Sequence, residues 1–374
     1  MQSRVDLFSR RGGDTVQIER TAEELRKLGV GVAIDCSARP DLADYGLVHL
    51  FNIDWPAQVY LQAQNAQAQG KPVVLSPIHH SFAEIERYER EARFGLRRVV
   101  NALFTVREQR ERFKDFCRML ADPQKISSTL VEFKRGIKSE QRELLELADL
   151  VLVQTAAEAK DAEEDLSLKV EKFRRVVNGS DVRFASAQAA TFVDEFGLKD
   201  FALCVGRVEP RKNQLAVAEA AATLRSQIPS LTLLFVGQIS RRHPEYAWRF
   251  KRLVRKHDWV YHVPSIPYEE MGSCYAAAKV HVLASWFETT GLVNLEAALA
   301  GANVVAAGGR AREYQADFAE YCDPGDSASI SGAILAAWEK PVDPEFRKHI
   351  LENFTWEKAA EQTLTAYREI VGNG

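Results

Sequence analysis

The chain has 374 residues, enough for two domains with a core each, and its composition (46% hydrophobic, 27% charged) is that of a globular protein. A formal net charge of −3 supplies no bulk cationic field for nucleic acid. The cysteines, Cys36, Cys117, Cys204, Cys274 and Cys322, are odd in number and have no CxxC spacing, which argues against a disulfide framework and a structural zinc site and fits reduced thiols in a cytoplasmic protein.

Met1-Gln2-Ser3-Arg4-Val5-Asp6 lacks the apolar stretch of a signal peptide, and no run of about 18 apolar residues follows to span a membrane. Val16, Ile18, Ala22, Leu25 and Leu28 recur at helical spacing, so residues 16–28 are expected as a helix stopped by Gly29. Residues 47–51 and 72–75 read as strands. Residues 82–120 and 125–148 read as long helices broken near Asp122-Pro123. Residues 149–153 form a further apolar strand, with Thr155 placed to cap the helix after it. A second series follows, with strands at 201–205, 231–236, 280–283 and 303–307 and helices at 212–227 and from about Gly291. Strand-helix-strand rhythm implies parallel sheets covered on both faces. A join near residues 183–198 gives a first domain at 1–185, a second at 186–350 and a last segment at 351–374.

Ligands of such sheets sit at the carboxyl ends of the strands, and Gly206, Gly237, Gly308 and Gly309 fall there. The strongest local signal is residues 285–297, between a strand and a helix, with Glu288 in the loop and Glu296 in the helix. Thr289 or Thr290 is placed to cap that helix. Gly291 allows close backbone approach, and free N–H groups at the helix start, near Leu292, suit a phosphate. Glu296 is placed to accept from a ribose diol. Capping and dipole chemistry alone would also put carboxylates there. Gly206-Arg207-Val208-Glu209-Pro210-Arg211-Lys212-Asn213 follows another strand, and Arg207 with Lys212 would clamp a diphosphate; a solvated basic loop is the plainer reading. Gly12-Gly13, before the first helix, is a candidate for backbone contact with a phosphate or sugar. His79 and His80, after the strand at 72–75, are candidates for bonding a sugar hydroxyl, and their adjacency in an extended chain points them to opposite sides. No GxGxxG or Walker sequence occurs, and no Asp-x-Asp pair.

In this order the motifs resemble family 4 of the glycosyltransferases, the retaining GT-B group, over nearly the whole chain. Gly12-Gly13 looks like the family's glycine loop, residues 148–155 like the strand before the domain junction, and Asn178-Gly179-Ser180-Asp181 like its Asn-Gly-x-Asp stretch. Gly206-Arg207 with Lys212-Asn213 resembles the diphosphate clamp. Glu288 and Glu296 match the Glu-x7-Glu motif, Gly308-Gly309 with Glu313 the Gly-Gly-x-x-x-Glu turn, and Phe354-Thr355-Trp356-Glu357 the start of the segment that crosses back to the first domain. Thr289-Thr290-Gly291 departs from the family's frequent Gly-Phe-Gly.

The resemblance implies a GT-B fold, two doubly wound Rossmann-like domains facing across a cleft with a C-terminal helix returning to the first. It implies a retaining, metal-independent transferase moving a sugar from a nucleotide diphosphate sugar (UDP- or GDP-sugar) to a saccharide or lipid-linked saccharide, in polysaccharide biosynthesis. Arg207, Lys212, Glu288 and His79 are the catalytic candidates. Gly12, Gly13, Gly206, Arg207, Lys212, Thr289, Thr290, Gly291, Leu292 and Glu296 are the donor-binding ones. No cofactor or metal is expected beyond the donor substrate. Residues 93–118 carry Arg93, Arg97, Arg98, Arg107, Arg110, Arg112, Lys114 and Arg118 among apolar residues, the pattern of a basic amphipathic helix resting on an anionic membrane or of an ordinary half-buried helix. A nucleotide-sugar epimerase, a phosphorylase and a catalytically silent sugar-nucleotide-binding module are the competing readings.

Overall fold

The computed structural model describes residues 1–54, 56–91, 94, 136–169 and 171–372. The basic segment at 93–118, the break at Asp122-Pro123 and most of the two expected long helices lie outside the described residues, Phe94 apart. The chain forms two compact units. The first comprises Met1–Phe82, Val100–Gly179 and Trp356–Gly374, and the second Ala83–Val99 and Ser180–Thr355. The boundaries thus fall at 179/180 and 355/356, and the described part of 83–99 groups with the second unit rather than the first. Periodicity along the chain does not encode this attachment, which runs through side chains distant in sequence: Arg87 bonds Asp323 at 2.6 Å, and Tyr88 packs edge-on against Phe287.

The first unit runs α1 (Gly13–Lys27), β1 (Val48–Phe51), α2 (Pro56–Ala68), β2 (Val73–Ser76), then α3 (Phe82–Glu91), whose first residue alone belongs to it. It continues with α4 (Ile137–Leu147), β3 (Leu150–Val153), α5 (Ala156–Leu166) and β4 (Phe173–Arg175). The strands are parallel in the order β1-β2-β3-β4. Each of β1, β2 and β3 is buried along its length, as a sheet covered on both faces requires. Alternation divides β3: Leu150 and Leu152 join Leu25 of α1 and Tyr367 of the last helix, while Val151 and Val153 join Val59, Leu144 and Leu145. Thr155 caps α5 as expected, its hydroxyl accepting from the Glu158 N–H at 2.9 Å. Gly29, at φ +85°, ends the turn after α1. No regular strand precedes Gly12-Gly13. Residues 5–10 form turns, and only Gln2 bridges to Leu50 of β1.

The second unit contains α6 (Ala190–Phe196), β5 (Phe201–Val205), a 3-10 turn at Pro210–Lys212, α7 (Gln214–Leu224), β6 (Leu233–Val236), α8 (Pro244–Lys256) and β7 (Val260–Val263). It continues with α9 (Met271–Ala277), β8 (Ala278–Leu283), α10 (Leu292–Ala300), β9 (Asn303–Ala307), α11 (Arg312–Gln315), β10 (Glu320–Cys322), α12 (Ser327–Glu339) and α13 (Pro344–Asn353). Its strands are all parallel, in the order β10-β9-β8-β5-β6-β7. Order therefore reverses between β5 and β8. A crevice opens at such a switch point because the connecting chains leave to opposite faces. The last helix, α14 (Trp356–Val371), packs on α1 in the first unit, with His49 Nδ1 2.7 Å from the Tyr367 hydroxyl. Among the described residues, no helix is long and apolar enough to cross a membrane.

Candidate functional site

The loops that leave β5 and β8 are the two that flank the switch point, and they carry the two strongest sequence signals. After β5 the chain turns through Gly206, at φ +142°, where an L side chain would be strained. Gly237, at the end of β6, is held close by: a Cβ there would lie 2.2 Å from the Gly206 carbonyl oxygen. The 3-10 turn then brings Arg211 and Lys212 toward the loop after β8. The loops are joined through backbone, as the Trp286 N–H donates to the Arg211 carbonyl at 2.9 Å.

Two cations converge on one carboxylate oxygen. Arg211 Nη1 lies 3.0 Å from Glu288 Oε1, and Lys212 Nζ bonds the same atom. Arg211 also donates to the Phe287 carbonyl at 3.1 Å, lies over the Phe287 ring and reaches Glu209 at 3.4 Å. Burial alone would push the Glu288 carboxyl up. The charges of Lys212 and Arg211 outweigh it and bring it down to about 2. Burial pushes the Lys212 ammonium down, opposed chiefly by Glu288. Arg211, Lys212, Glu209 and Glu288 balance in charge, so an entering anion would compete with Glu288 for Lys212.

Arg207, the expected partner of Lys212, is exposed two positions beyond β5. Arg211 is the residue sequence reasoning passed over: in a loop with three cations, spacing does not say which one faces Glu288, and the 3-10 turn decides it. Thr289 and Thr290 do not cap α10. Its N-cap is Gly291, at φ +68° with no side-chain cap bond, and a Cβ there would come within 3.0 Å of Leu283. The left-handed turn replaces a hydroxyl cap, because only glycine adopts it cheaply. The first-turn N–H groups at Leu292 and Val293 follow directly.

Glu296, buried in α10, has one oxygen 2.8 Å from the Tyr275 hydroxyl and the other 3.2 Å from that of Tyr268, both donating. Neither tyrosine was singled out from sequence, since both lie more than 20 residues away on other elements. Gly308 and Gly309 follow β9, and Glu313 lies in α11.

Gly12, Gly13 and His79 belong to the first unit. Gly12 and Gly13 are exposed at the start of α1, where Gly12 is the extended N-cap and its N–H donates to Thr15 at 3.2 Å. His79 and His80 lie beyond β2, which ends at Ser76, and so are not strand neighbours facing opposite ways. His79 is fully buried, with Nε2 2.8 Å from Asp165 and its N–H donating to Glu158 at 2.8 Å. His80, partly exposed, has Nδ1 2.6 Å from Asp54. Among the described residues, no three His, Cys, Asp or Glu side chains gather as a metal-ligand set.

Residues 192–355 match the family model described as "Glycosyl transferases group 1". The chain is also similar to O-antigen chain mannosyltransferase B of Escherichia coli, 27% identical over 45% of each chain. It is similar to D-inositol 3-phosphate glycosyltransferase of Kribbella flavida, 29% identical over 61% of this chain and 58% of that one. The matched region thus spans about half the length of these curated relatives. Among solved structures, HepE of Anabaena in complex with UDP and glucose superposes with a TM-score of 0.68 at 14% identity, covering 99% of both chains. Sucrose-phosphate synthase from Thermosynechococcus elongatus gives 0.67 at 19% identity, over 96% of this chain and 94% of that one. At these identities the likeness concerns the fold, and that fold is GT-B.

Proposed function

We propose that the protein is a retaining, metal-independent glycosyltransferase that moves a sugar from a nucleotide diphosphate sugar, UDP- or GDP-linked, to a saccharide or lipid-linked saccharide. The observation that carries this reading is the pairing of Lys212 and Arg211 with Glu288 at the β5–β8 switch point, beside a group 1 glycosyltransferase signature. The carboxyl ends of these strands are where a doubly wound sheet takes a nucleotide.

In this reading Lys212 and Arg207 hold the diphosphate, with the first-turn N–H groups of α10 beside it. Glu296 accepts from the ribose hydroxyls, and Glu288 orients Lys212 and meets the sugar. The anomeric carbon–oxygen bond to the diphosphate breaks, and a bond from the acceptor oxygen forms on the same face. The acceptor proton passes to an oxygen of the departing diphosphate, so no separate base is needed. Negative charge grows on the leaving group, and preorganised cations stabilise that charge more in the transition state than in the ground state. These cations do the work that a divalent ion would otherwise do. The relatives named for mannosyl transfer to O-antigen and for glycosyl transfer to an inositol phosphate favour a polyhydroxylated acceptor in polysaccharide-type biosynthesis. A lipid-linked acceptor would bring the protein to an anionic membrane through residues 93–118, which salt-sensitive flotation with anionic liposomes tests.

The experiment is a product assay with labelled UDP- and GDP-sugars and saccharide acceptors in the presence of EDTA. Transfer with retained anomeric configuration supports the reading. Nucleotide binding without turnover under any donor and acceptor would overturn it in favour of a binding module.

A further inference from the structure

The registered pairs between β5 and β8 run Phe201 with Ala278, Ala202 with Val280, and Leu203 with His281. Beyond them no further pair between these strands is registered. The Val205 N–H, two residues on, is met by a side chain: it donates to Nε2 of His281 at 3.3 Å. That bond leaves Nε2 as the acceptor and puts the ring hydrogen on Nδ1. Nδ1 lies 2.7 Å from Asn294 Oδ1, so the ring donates to the first turn of α10. Asn294 in turn donates to Gln315 Oε1 of α11 at 3.2 Å. His281, Asn294 and Gln315 are all fully buried.

The consequence is geometric. Val205 immediately precedes Gly206 and the loop bearing Lys212, and Asn294 lies in the first turn of α10, three residues after Gly291 and two before Glu296. One imidazole therefore bonds the base of both loops. We propose that His281 is a positioning residue: its ring fixes the spacing between the cationic loop after β5 and the first turn of α10, and so the fit of a diphosphate between them. The ring touches no substrate. It acts through the Val205 N–H on one side and Asn294 on the other. Burial lowers its pKa, the Asn294 bond opposes that, and the Lys212 charge lowers it further, to about 4, so the ring stays neutral and keeps its acceptor. Buried hydrogen bonds of this kind hold a specific geometry, and misplacement of about 1 Å at a reacting site is felt strongly.

This inference rests on the diphosphate reading above, and the test separates the two. Affinities for UDP and UMP, and for GDP and GMP, are measured by titration calorimetry on the full chain. His281→Leu, of similar volume, removes both bonds, while His281→Gln keeps an acceptor and a donor. His281→Leu is expected to lose on the order of 10-fold in diphosphate affinity with monophosphate affinity nearly unchanged, and His281→Gln to recover most of the loss. Should His281→Leu fail to fold, Asn294→Leu cuts the same link from α10 and is expected to give the same selective loss. Diphosphate affinity at wild-type level in a folded leucine variant, or equal losses for mono- and diphosphate, overturns the positioning role alone. A wild-type chain that binds neither diphosphate overturns the reading of the site and this inference with it.

Discussion

Glu288→Gln keeps the shape and one acceptor of the side chain and removes its charge, leaving Arg211 and Lys212 facing each other across a buried gap. The carboxyl is held at about 2 against an ordinary 4.5, a difference worth about 3 kcal/mol when the group is ionised. Breaking a buried ion pair by deleting one partner costs about 3–5 kcal/mol, in line with that figure. The sign follows from the lowered pKa: the folded state binds fewer protons, so the contribution is complete above pH 4.5 and is lost as pH falls toward 2. The assay is urea unfolding of both proteins at pH 7 and pH 3, followed by tryptophan fluorescence, with Trp286 two residues from the change. At pH 7 the variant is expected to be about 3 kcal/mol less stable, and at pH 3 roughly half of that deficit should remain. Equal stability at pH 7, or a deficit that does not shrink on acidification, would refute the assignment of Glu288 as the anion of this cluster.

Arg207→Ala and Lys212→Ala should each lower turnover by on the order of 100-fold or more with circular dichroism unchanged, as expected for lost charge stabilisation; turnover near wild type in either folded variant contradicts its role. Gly237→Ala places a Cβ 2.2 Å from the Gly206 oxygen at a φ of +144° and should cost on the order of 3 kcal/mol, read as a lower melting temperature. Tyr275→Phe removes the 2.8 Å donor to buried Glu296 and should cost about 1–3 kcal/mol in urea unfolding, whereas an unchanged midpoint would mean that the bond contributes nothing.

The central strands were legible because parallel strands covered on both faces are continuous apolar runs, as in Leu150–Val153 and Phe201–Val205. Three of the edge strands were not, whereas the buried edge strand Val48–Phe51 was. Phe173–Arg175 and Glu320–Cys322 are short, charged and half exposed, and Val260–Val263 buries only its first residue fully, so none carries such a run. The pairing of Lys212 with Glu288 joins two residues that the sequence marks by their place after strands, but Arg211 and the two tyrosines on Glu296 depend on contacts across 20 to 80 residues of chain that spacing does not encode. His281 left one trace, a lone imidazole within the otherwise apolar Val280–Leu283.

The sharpest measurement is titration calorimetry of UDP and GDP, with EDTA present, against the wild-type chain and Lys212→Met. Binding of one diphosphate by the wild type, weakened by on the order of 100-fold in the variant, is the predicted result. No binding of either nucleotide to the wild type, or equal affinity in both proteins, would contradict a diphosphate site at the β5–β8 switch point.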